Sequence, residues 1–149
     1  MPYINYEWYY RHNDPRREER LESYKKYLND IKASIPSSVY DFSWISLHDL
    51  HIGDSMYIAE VGMVVNIGWY QISFIGSADT NMFRDNITSK WLYHEVCIRS
   101  PGLFTCHFVI ECEDLLIHFK DISVYDFGKR KQVIMPSCAN TKEQRRNRK

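Results

Sequence analysis

After residue 40 the chain stops following a helical period, and apolar residues recur at every second position in runs joined by short connections. Period-two runs are the mark of strands, and short links favour antiparallel neighbours over parallel crossovers. The runs predict strands at Leu47–Ile58, Val61–Ile67, Tyr70–Ile75, Trp91–Ile98, Leu103–Cys112 and Leu115–Tyr125, with turns near Gly62, Gly68-Trp69, Pro101-Gly102 and Glu113-Asp114. Gly76–Lys90 interrupts the series and reads as a loop or a helical turn.

Only the segment before residue 40 carries a helical pattern. Asp14 can cap the amides of a first turn that begins at Pro15. From there Leu21, Tyr24, Leu28, Ile31 and Ile35 fall three and four apart, until Pro36 ends the run, which predicts a helix over residues 14–34. The expected fold is therefore α+β: one N-terminal amphipathic helix packed on an antiparallel meander sheet of about six strands.

Two hairpins can be placed in register. A two-residue turn at Glu113-Asp114 sets Cys112 against Leu115, Ile110 against Ile117 and Phe108 against Phe119, one apolar face. Carrying the pairing back through Pro101-Gly102 sets Ile98 beside Phe104 and Val96 beside Cys106. Phe108, Ile110, Ile117 and Phe119 are then core. The opposite face aligns Glu95 with His107 and His107 with Lys120, with Tyr93, Glu111 and His118 nearby, and reads as a mixed surface open to solvent or to a partner.

At 149 residues the chain suits a single domain, residues 1–128, followed by a tail, and neither a disulfide framework nor a metal is needed to explain its core. Its formal net charge of zero hides an asymmetry. Residues 129–149 carry eight basic side chains against Glu143, whereas residues 1–128 carry 11 basic and 18 acidic ones, a body of −7. The basic stretch, with Pro136, Ser137 and Asn140, reads as a mobile tail in which Val133-Ile134-Met135 could dock. No run of apolar residues is long enough for a membrane helix and the start lacks a signal-peptide core, so the expected location is cytoplasmic, with no membrane contact. Four cysteines without a paired spacing agree.

Catalytic and metal signatures are thin. No Walker loop, GxGxxG, HExxH, GxSxG or zinc-knuckle spacing occurs. His48, Asp49 and His51 tempt a metal reading, but on a strand the two histidines point to opposite sides, so no metal and no cofactor is expected. Asp49 instead closes the turn into the first long strand. Cys106 and His107 lie on opposite faces of one strand and cannot form a dyad, which leaves Cys106 as a small core residue.

The order Leu47-His48-Asp49, then Trp91 to Val96, then Phe104 to Val124, resembles small bacterial proteins of unknown function, some encoded beside polymorphic toxins and suspected to be immunity proteins. The resemblance rests on Leu47, His48, Asp49, Trp91, Glu95, His107, Phe119 and Asp121 and covers residues 45–125. It implies binding rather than chemistry. The expected function is a non-catalytic protein-binding module, of immunity type, whose partner is a basic toxin domain drawn to the acidic body. Its candidate binding residues are Asp49, Tyr93, Glu95, His107, Glu111, His118 and Lys120. A second reading is a nucleic-acid-associated protein using Lys129, Arg130, Lys131, Arg145, Arg146 and Arg148, with base stacking on Tyr3, Tyr6, Trp8, Tyr9 and Tyr10. A third is a hydrolase with Glu95 and His107 as an acid–base pair.

Overall fold

A computed structural model describes residues 16–111 and 113–137. Helix α1 spans Arg16–Ile31 and runs on into a 3₁₀ turn, Lys32–Ser34; a second helix, α2, spans Ser37–Trp44. Then follow β1 (Leu50–Ile58), β2 (Gly62–Ile67), β3 (Tyr70–Ile75), a one-turn helix α3 (Met82–Asp85), β4 (Lys90–Ser100), β5 (Leu103–Ile110), β6 (Asp114–Phe119), β7 (Asp121–Asp126) and β8 (Lys131–Ile134). The α+β class holds, with an N-terminal helix on an antiparallel sheet. The sheet has eight strands, ordered β6-β5-β4-β1-β2-β3-β7-β8, rather than about six.

Two departures account for the difference. The run read as one strand, Leu115–Tyr125, is two strands that meet at Lys120: β6 pairs with β5, and β7 pairs with β3. The Lys120 amide donates to the Ile75 carbonyl at 2.8 Å, so one bent stretch of chain serves both ends of the curled sheet. Lys131–Ile134, within the basic stretch, adds β8 beside β7, and Ile134 is buried. The charges at that strand do not prevent it, because β8 is an edge strand on which Lys131 and Gln132 are exposed. Residues 138–149, with Arg145, Arg146 and Arg148, and the aromatic positions 3–10 lie outside the described residues, as does Asp14-Pro15.

The β4–β5 register is the expected one: Ile98 pairs with Phe104, Val96 with Cys106 and Glu95 with His107. The β5–β6 register is not. Phe108 pairs with Leu115, Cys106 with Ile117 and Phe104 with Phe119, and the turn closes through the Ile110 amide on the Glu113 carbonyl at 2.9 Å. Asp114 thereby enters the strand, where it reaches His107. The displacement is an even number of residues, so every side chain keeps its face. Phe108, Ile110, Ile117 and Phe119 are all core, and Cys106 is buried with them.

The inside of the curl holds stacked rings. Phe83, carried in by α3, stacks on Phe74 at 5.9 Å and on Phe108 at 5.7 Å, and Phe108 stacks on Trp91 at 4.4 Å. Phe42 of α2 meets Phe74 edge-on at 5.8 Å. On the β1–β2 turn, Gly62 (φ 125°) lies so close to the Phe74 carbonyl that a Cβ would collide with it.

Helix α2 was not visible in the periodicity, because its support is remote. Its first turn has no cap of its own, but Ser38 Oγ donates to the buried Asp121 carboxylate, and the Ser38 amide reaches Ser137 Oγ at 3.4 Å. A carboxylate at the positive end of a helix is favourable.

Helix α1 buries Tyr24 and Leu28, and its tyrosines do more than fill space. Strand β1 pairs with β4 only at Leu50–Trp91 and His51–Lys90, so among the described residues the rest of that β4 edge has no strand beside it. The Tyr24 hydroxyl donates to the Val96 carbonyl at 3.1 Å and accepts from the Val96 amide, and the Tyr27 hydroxyl accepts from the Ile98 amide at 3.0 Å. Burial holds the Tyr24 phenol well above its ordinary range, so it stays protonated and keeps both roles. Tyr24→Phe should cost about 2 kcal/mol by orphaning the Val96 groups, read as a lower urea midpoint with unchanged circular dichroism.

Candidate functional site

Strands β4, β5 and β6 present their outer face through alternate residues: Tyr93, Glu95 and Cys97; Val109, His107 and Thr105; Asp114, Leu116 and His118. Sequence reading made this face a mixed surface open to solvent or to a partner, and its centre is buried. Glu95 and Val109 are fully buried and His107 is 7% exposed. Period-two patterning separates the two faces of a strand but does not report whether the polar one is covered. Burial, with the Glu95 carboxylate adding to it, holds the Tyr93 phenol well above the ordinary range.

His107 faces Glu95 across the pairing, yet its hydrogen bond goes to Asp114, Nε2 to Oδ2 at 3.1 Å. Burial lowers its pKa more than Asp114 raises it. Its Nδ1 is buried and has no partner among the described residues. Lys120 is not across from His107. It stands at the corner between β6 and β7, with its methylene stem against Gly76, because the four-residue displacement puts Leu116 opposite His107 instead.

The remaining candidates do not join this group. Asp49 is in the exposed turn before β1 at φ 65°, 3.7 Å from His48, with its amide on the Trp91 carbonyl at 2.9 Å, the turn-closing role expected of it. Glu111 accepts from the Lys90 amide at 2.7 Å. His94 belongs to the core: its Nδ1 accepts from Trp91 Nε1 at 3.1 Å and its Nε2 lies 3.0 Å from the Phe42 carbonyl. Burial pushes its pKa down to about 4, so the ring is neutral.

Towards the end of this face the covering thins and a groove of about 540 Å³ opens. Its walls include Tyr27, Ile98 and Leu116, and its polar groups are Arg99, Thr105, His107 and His118. His118 Nδ1 lies 2.8 Å from Thr105 Oγ1.

A second surface was not legible at all. Trp69, at the β2–β3 turn, and Phe127, at the β7–β8 turn, are each 52% exposed, and the Phe127 amide donates to the Trp69 carbonyl at 2.9 Å. Trp69 packs on Tyr70 at 5.7 Å. Tyr70 in turn shares with Trp44 a cleft of about 320 Å³ that also takes in Asp41, Asp126 and Lys129. Of the tail cations, Lys129 is held here by its amide on Asp126 Oδ1 at 2.9 Å, Arg130 turns the chain at φ 54°, and Lys131 pairs with Asp126. Aromatic residues at turns signal this surface in the sequence only once the two turns are known to be neighbours.

Among the described residues no helix is long and apolar enough to cross a membrane. No curated protein and no solved structure matches the chain. The model of one family does, over residues 4–119, from ahead of α1 to the last residue of β6. This span takes in the N-terminal aromatic segment together with the covered β4–β5–β6 face, and the chain belongs to the DUF4085 family, proteins of unknown function.

Proposed function

We propose that the chain is a non-catalytic protein-binding module of immunity type, which masks a basic partner such as a toxin domain in the cytoplasm. The observation that carries this reading is the aromatic surface formed by Trp44, Trp69, Tyr70 and Phe127. Gly68 (φ 57°) meets the conformational demand of the β2–β3 turn, and nothing in the turn calls for a tryptophan beside it, so a half-exposed Trp69 at the tip is not explained by folding. Single exposed apolar residues are ordinary, whereas a contiguous group rimmed by polar ones marks an interaction site. Tryptophan and tyrosine supply most binding hot spots. The exposed Asp41 beside the rings, on a body of −7 over residues 1–128, favours a cationic partner.

The test uses the full chain immobilised against extract of its native host, beside a Trp69→Ala/Phe127→Ala variant. A basic protein retained by the first should bind the variant about 30-fold more weakly or worse, with the thermal midpoint unchanged. Equal retention by both, or recovery of nucleic acid alone, would overturn the proposal.

A further inference from the structure

The groove on the β4–β5–β6 face has no part in the binding surface just described. We infer that it takes one small amphipathic anion per chain, an apolar body carrying a single carboxylate or sulfonate head. Its volume, about 540 Å³, is that of a small-molecule site. Leu116 is 51% and Ile98 37% exposed within this concavity, so two large aliphatic side chains are left wet where a flat guest would cover both.

The head is set by charge. Arg99 supplies the cation, and no acidic residue lines the groove among the described residues, although the body as a whole carries −7. Arg99 and His118 both line the groove, and burial together with the Arg99 charge opposes protonation of the imidazole. An anion placed there meets a guanidinium, which binds carboxylates in a fixed fork. Thr105 engages His118 through Nδ1, which leaves Nε2 for another partner. His107 also lines this wall of the groove, its Nε2 held by Asp114.

The probe is 1-anilinonaphthalene-8-sulfonate, followed by fluorescence on the full chain, with decanoate and decanol as competitors. The expected result is saturation at one probe per chain, displacement by decanoate, and displacement by decanol only at about tenfold higher concentration. Arg99→Gln and Leu116→Gln should each weaken the probe by about tenfold, while Arg99→Lys retains part of the affinity. Both positions are on the surface, and unchanged circular dichroism will show that the fold is kept. Binding that does not saturate at one site, equal competition by decanol, or full affinity in either glutamine variant would overturn the inference. None of these results depends on the protein-binding surface, whose variant should bind the probe as the unaltered chain does.

Discussion

Phe119→Ala should lower the unfolding free energy by about 3–5 kcal/mol, the range for emptying a buried phenylalanine site. Phe119 is fully buried at the end of β6, one residue before the chain passes from one half of the sheet to the other. Its ring meets Phe74 of β3 at 5.6 Å and Phe104 of β5 at 5.9 Å. These two strands are not neighbours in the sheet, so no single side-chain shift refills the space. Urea unfolding followed by tryptophan fluorescence is the measurement. A loss under about 1 kcal/mol would mean that the ring is not in the core.

Acid should destabilise the fold through His94 ahead of the carboxylates. In the unfolded chain this imidazole takes up its proton near 6.5, and in the folded protein only near 4. Between those values the unfolded state binds more protons, so stability rises with pH there. The contribution is complete above about pH 6.5 and is lost as the pH falls towards 4, at a cost of about 3 kcal/mol. His107 shifts in the same direction by burial and acts with it. Urea midpoints at pH 7 and pH 4.5 read the loss. In His94→Gln the drop between those two values should shrink, and a variant with the full drop would assign the acid response to other groups. If that variant does not fold, a His94 ring titrating near 6.5 by nuclear magnetic resonance in the unaltered protein would refute the assignment.

The strands were legible because pattern and pairing agree where the links are short. Pro101-Gly102 fixes one register, and β4–β5 follows it from Ile98 to Glu95. At the next turn two registers keep the same faces apolar, and patterning cannot choose between them. The choice falls to the Asp114–His107 bond and the Phe104–Phe119 pairing. Partner exchange was equally hidden: nothing in the alternation of residues 115–125 says that the strand changes neighbours at Lys120. Phe83 entered the core from a segment with no period, and the aromatic surface depends on Trp69 and Phe127 meeting across two turns that are distant in sequence.

The two tyrosine hydroxyls on β4 also make α1 a guard. Whenever the helix lifts away, the Val96 carbonyl and the Val96 and Ile98 amides become the open edge of an apolar strand, a ready template for a strand of another molecule. Protection against self-association is then set by how often one helix detaches, a local opening that requires far less free energy than unfolding the sheet. A chain lacking the two hydroxyls would aggregate sooner than its lower global stability alone accounts for, while its core remained folded.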